Sequence, residues 1–137
     1  MFVRMKRSVL AALVLLLAVG HGERAAARPP NAAGWTPAGR AWVAMVRRQL
    51  PTALCANGYF RACFAIDPRA CEALAVRQFD VCLQQQPAVV PAAPDAASGA
   101  RAGQILGACA GGGLERALVA QGRRRAAPEC SDPSRWR

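Results

Sequence analysis

Six cysteines, Cys55, Cys63, Cys71, Cys82, Cys109 and Cys130, are spaced by seven, seven, ten, 26 and 20 residues. No two of them form the close C-x2–4-C turn that zinc ligands favour. There is no C-x-x-C of a thiol oxidoreductase either. An even number of widely spaced cysteines in a short chain reads as a disulfide framework, provided the chain leaves the reducing cytosol. Three bridges would add about 2–4 kcal/mol each, mainly by restricting the unfolded chain. Fifteen connectivities are possible.

The start of the chain supplies the export signal. Arg4, Lys6 and Arg7 precede an uncharged run from Val9 to Val19, and small residues end in Ala25-Ala26-Ala27. This is the layout of a cleaved secretory signal peptide, 1–27. A second candidate site follows Gly20. The apolar run is too short to span a bilayer, which needs about 20 residues. The expected location is the periplasm or the medium.

Cleavage after Ala27 leaves 110 residues with 14 arginines against seven acids, a net charge of +7. It removes the only histidine, His21, and the only lysine, Lys6. Without them, Ser-His-Asp triads, Cys-His pairs and Schiff bases cannot be assembled. No catalytic residue, metal or cofactor is nominated. The excess of arginine over lysine and the 31 alanines point to a GC-rich genome.

Residues 28–35 read as a disordered lead, and 36–137 as one helical cysteine-rich domain. Thr36-Pro37 is an N-cap followed by N1 proline. It opens a helix expected to end near Leu50, before Pro51, with Trp42, Met45 and Val46 inward. Asn57-Gly58 is a turn. Tyr59, Phe60, Cys63 and Phe64 follow at helical spacing, with a strand as the alternative. Asp67-Pro68 caps the best-defined helix, with Cys71, Leu74, Ala75, Phe79, Cys82 and Leu83 on one face. Arg69, Glu72, Arg77 and Asp80 take its solvent side. Eleven helical residues span about 16 Å, so Cys71 and Cys82 cannot bond to each other.

Residues 87–98 form a Pro/Ala-rich linker. Ser98 is the expected cap of a third helix, with Ala102, Ile105, Leu106 and Cys109 inward. Gly103, Gly107 and Gly111 recur every four residues, and the plain reading is a neighbouring helix that fits there. Gly111-Gly112-Gly113 should break this helix, leaving a short fourth from Leu114 to about Gln121. Cys130 should tie the tail to the body, and Trp136 either docks or dangles. The fold class is all-α: a small, disulfide-stapled bundle of about three to four short helices after a signal peptide.

Two groups of residues are candidates for function. Arg116, Arg123, Arg124 and Arg125 make a basic patch suited to carboxylate or phosphate. Its bland counterpart is a solvated charge run. Tyr59 and Phe60 are candidate partner contacts, though between two cysteines the core is their more ordinary place. The seven acids offer no catalytic pair: Asp67 reads as a cap, Glu72 and Asp80 as solvent face, and Asp95 as linker.

The stretch from Leu54 to Cys82, with Gly58-Tyr59-Phe60-Arg61, Cys63-Phe64 and Asp67, resembles short cysteine-rich exported proteins of unassigned function from GC-rich bacteria. That resemblance implies export and carries no activity. Saposin-like domains and plant lipid-transfer proteins also have six cysteines on about four helices. Their adjacent or near-adjacent cysteine pairs are missing here. The expected function is therefore a non-catalytic binding protein of the cell envelope, accessory or inhibitor-like. It would contact an acidic protein or an anionic envelope polymer or lipid, and not nucleic acid. A carrier of a small apolar ligand or lipid is the alternative.

Overall fold

A computed structural model describes residues 34–132 and 134. The signal peptide, most of the 28–35 lead and Trp136 lie outside the described residues.

Four α-helices follow one another: α1 (Pro37–Ala56), α2 (Gly58–Cys63), α3 (Pro68–Gln85) and α4 (Ala96–Ala120). Short 3-10 turns at Pro87–Val89 and Pro128–Ser131 complete the order. Among the described residues there is no strand, only one isolated β-bridge between Phe64 and Arg124. The all-α expectation holds.

Polar side chains start every helix. Thr36 Oγ1 accepts from the Gly39 N–H, Asn57 Oδ1 from Tyr59 N–H, and Asp67 Oδ1 from Ala70 N–H. Each satisfies one of the amides that a helix start leaves unpaired. Proline follows directly at Pro37 and Pro68, where it has no N–H to waste.

Three boundaries differ from the sequence expectation. Helix α1 does not stop before Pro51 but runs through it to Ala56. A proline inside a helix forfeits one backbone hydrogen bond. Here Pro51 is buried, and beyond it Cys55 is bonded to Cys71 of α3. Tertiary contacts hold the last turn that local preference would end. Helix α4 begins at Ala96, capped by Asp95 and not by Ser98. Ser98 instead completes a capping box: its N–H donates to Asp95 Oδ1, and its Oγ accepts from the Asp95 N–H. Lastly, α4 runs unbroken through Gly111-Gly112-Gly113, so the third and fourth expected helices are one. An ideal Cβ on Gly113 would lie 2.5 Å from Gln78 Oε1 of α3. Close approach of α3 explains why a glycine sits there.

Helix α3 packs against both α1 and α4. Its predicted apolar face is buried throughout, from Cys71 to Leu83. Two apolar clusters share it. One gathers Tyr59, Phe60, Phe64, Leu74, Leu114 and Leu118. The other gathers Trp42, Val43, Phe79, Leu83, Val90 and Leu106. Trp42 of α1 and Ala102 and Leu106 of α4 are buried as expected, and Val46 and Cys109 pack against the core, but one expected inward residue on each helix is not. Val43 is buried while Met45 is exposed, and Leu106 is buried while Ile105 is exposed. Gly107 and Gly111 meet Leu50 and Leu54 of α1, so part of the four-residue glycine repeat does accommodate a neighbouring helix.

All six cysteines are bridged: Cys55–Cys71, Cys63–Cys130 and Cys82–Cys109. Cys71 and Cys82 bond to different partners, and Cys130 ties down the tail. The proline-bearing segment is also fastened. Trp35 Nε1 donates to the Pro87 carbonyl and Thr36 Oγ1 to that of Ala92.

Candidate anion-binding cavity

The arginine run leaves α4 through a glycine turn. Gly122 has φ +67°, the left-handed conformation that favours glycine. Its N–H donates to the Val119 carbonyl, and the Arg123 N–H donates to that of Leu118. This Schellman pattern closes the helix and reverses the chain. The run then pairs antiparallel with the segment after α2. The Ala65 N–H donates to the Arg123 carbonyl at 2.9 Å, and the Arg125 N–H to the Cys63 carbonyl at 2.8 Å.

Extended backbone sends successive side chains to opposite faces. That alternation divides the run. Arg124 turns inward, bonding Glu115 Oε1 and reaching Tyr59 Oη at 3.3 Å, with its guanidinium 5.7 Å from the Phe64 ring centre. Arg123 and Arg125 line a surface cavity of about 350 Å³ together with Arg77 of α3. Ala65, Ile66, Asp67, Ala70, Leu74 and Gln121 complete its wall. Arg116 is exposed and is not part of that wall.

The expected four-residue patch is thus redistributed. Two members form the cavity, one is committed to a structural pair, and one stands apart. Arg77, assigned to the plain solvent face of α3, joins the cavity. Its sequence position gave no sign of this, because the partner segment is more than forty residues away.

The charge balance of the cavity is uneven. Among the described residues the ion pairs are Arg47–Asp80 and Arg124–Glu115. Arg77, Arg123 and Arg125 have none. Asp67 is the one carboxylate in the wall, and it is occupied in capping α3. Arg123 spends one N–H on the Ala65 carbonyl, at 3.3 Å. Most guanidinium donors of the three arginines remain available to a ligand. Arginine presents them as a fork matched to carboxylate and phosphate oxygens.

Tyr59 and Phe60 are not a projecting anchor. They are 7% and 8% exposed and pack edge-to-face, centroids 5.5 Å apart. The Tyr59 hydroxyl donates to Glu115 Oε1 at 2.7 Å. Burial raises the Tyr59 pKa, and the bond to Glu115 adds to the rise. A second cleft of about 340 Å³ is lined by Tyr59 and Phe60 together with Leu54, Gly111 and Glu115.

Residues 38–121, from the first turn of α1 to the end of α4, match the family described as T2SS (type II secretion system) substrate NttA. The chain belongs to the NttA family. As a member of a family of secretion substrates it is an exported protein, which agrees with its three disulfides. No helix among the described residues is long and apolar enough to cross a membrane. No curated protein and no solved structure matches the chain. The NttA match ends at Gln121, so Arg77 lies within it while Arg123 and Arg125 lie just beyond.

Proposed function

We propose that this NttA-family protein is a non-catalytic binding protein that works outside the cytoplasm. It docks an anionic surface, an acidic protein or an anionic envelope polymer or lipid, through the cavity of Arg77, Arg123 and Arg125. The observation that carries this reading is the gathering of three arginines without carboxylate partners around one cavity, from two elements distant in sequence. Cleavage after Ala27 would leave no histidine or lysine for general-base or Schiff-base chemistry, and the bridged cysteines leave no free thiol for a nucleophile. The alternative, an apolar-ligand carrier, has weaker support: Phe79, Leu83, Leu106 and Leu114 fill the space between the helices.

The test compares two double variants of equal charge change. Arg77→Glu with Arg123→Glu reverses the cavity. Arg48→Glu with Arg101→Glu changes exposed arginines elsewhere. Binding to immobilised polyglutamate and to phosphatidylglycerol vesicles is measured at low and moderate salt. The cavity variant should lose at least tenfold in affinity to one of these surfaces and the control less than threefold. Equal losses would mean that net charge alone drives the binding and would defeat the assignment.

A further inference from the structure

We propose that the outer edge of the 123–126 segment is an addition site for an extended acidic peptide. The peptide would pair along that edge as a third strand and set alternate carboxylates against Arg123 and Arg125. The inference rests on the anionic reading above, since it uses the same arginines, and narrows the anion to a protein segment.

The bridge to Phe64 uses only the inward main-chain groups of the run: the Arg123 carbonyl and the Arg125 N–H. In extended backbone the groups of the residues between point the other way. The N–H groups of Arg124 and Ala126 have no hydrogen-bond partner among the described residues, and both residues are exposed. An unpaired edge of this kind is what an added strand engages, with main-chain bonds supplying affinity and alternate side chains specificity.

The edge is held in place at both ends. The glycine turn at Gly122 fixes its start, and Cys130, bonded to Cys63, fixes the chain after its end. Arg124 is clamped beneath by Glu115. An edge fixed in this way loses little further freedom when a ligand pairs with it. Side-chain alternation then selects the ligand. On a third strand, every second residue would sit on the cavity face, next to Arg123 and Arg125. Cross-strand neighbours lie about 5 Å apart, and opposite charges there attract. Acidic residues at alternate positions fit this face, whereas basic ones would be repelled.

The probe is the synthetic peptide acetyl-Thr-Glu-Val-Glu-Thr-Glu-amide, titrated by calorimetry against the exported, disulfide-bonded chain. Two N-methylated versions block alternate amides, one set in each. Saturable binding is expected, weakened at least tenfold by one methylation register and less than threefold by the other. Arg123→Ala and Arg125→Ala should each weaken it several-fold. Ala126→Pro, which removes an edge N–H, should abolish it with the helical circular dichroism unchanged. Failure of the peptide to bind, or equal binding of both methylated versions and the parent, overturns the proposal. Phosphatidylglycerol vesicles and inorganic phosphate form the parallel arm. If either binds through the arginines and the peptide does not, strand addition is wrong and the broader anionic reading stands. If no anion binds, both fall.

Discussion

Arg124 and Glu115, nine residues apart, join through a guanidinium–carboxylate bond, and the same Glu115 Oε1 accepts from the Tyr59 hydroxyl. One carboxylate therefore ties the arginine run to α2 and α4 together. Because Arg124 is held on this side of the bridge, Arg123 and Arg125 face the other.

Removal of the Tyr59 hydroxyl should destabilise the fold and change its alkaline limit. Tyr59→Phe is expected to cost about 1 kcal/mol, the net worth of a part-buried hydrogen bond. The pKa of Tyr59 is raised above the ordinary 10.0, by burial first and by Glu115 next. A group that holds its proton more tightly when folded stabilises below its unfolded pKa. That contribution is lost as pH climbs from about 10 through the raised value. Denaturant melts of both proteins between pH 8 and pH 11 should show the wild type losing more stability than the variant over that range.

The three disulfides should not be equivalent. Cys63–Cys130 closes 67 residues, against 27 for Cys82–Cys109 and 16 for Cys55–Cys71. Loop-entropy arithmetic gives about 4 kcal/mol for the longest and about 3 kcal/mol for the shortest. Replacing both members of each pair by serine and measuring urea midpoints should rank them in that order. The Cys63/Cys130 variant should also lose anion binding, because it frees the chain after the arginine segment.

Two glycine-to-alanine substitutions should have opposite signs. Gly103 is on α4 with nothing within 4 Å of an added Cβ. Gly103→Ala should raise stability by about 0.5–1 kcal/mol through helix propensity. A Cβ on Gly39 would lie 3.0 Å from the Pro91 carbonyl oxygen and 3.2 Å from Val90 Cγ1. Gly39→Ala should therefore lower stability by about 1–3 kcal/mol, since backbone must give way. Thermal melts distinguish the two.

The Arg47–Asp80 pair, two parallel bonds of 2.8 Å between α1 and α3, should contribute little. It lies on the surface, with Arg47 half exposed, and such pairs are worth about 0–1 kcal/mol. Asp80→Asn should cost no more than that, and the difference from wild type should shrink in 1 M salt. A loss above about 2 kcal/mol that salt leaves unchanged would point to a packing role instead.

Much of the framework could be read from short-range chemistry. The caps at Thr36 and Asp67 act within three residues of their own position, whereas Asn57, read as a turn, caps α2. The apolar face of α3 follows from helical periodicity alone, and so does the separation of Cys71 from Cys82. Where such rules failed, contacts from distant residues had overruled them. Pro51 stays helical in a turn whose end is bonded to α3, and three consecutive glycines stay helical where Gly111 faces Leu54 of α1 and Gly113 faces Gln78 of α3. The functional candidates were the least readable part. The charges were visible in the sequence but their grouping was not: Arg124 left the patch for Glu115 and Tyr59, and Arg77 entered it.

The sequence by itself supplied six widely spaced cysteines, the all-helical class and the starts of α1 and α3, because each depends on residue type and near neighbours. Tertiary structure alone decided which cysteines meet, where α1 ends, that α4 runs unbroken through its glycines, and which arginines share a cavity. Those outcomes depend on pairing segments tens of residues apart, as when Arg124 reaches Tyr59 across 65 positions. The free energy of such contacts is set by packing and charge in three dimensions, which no local pattern encodes.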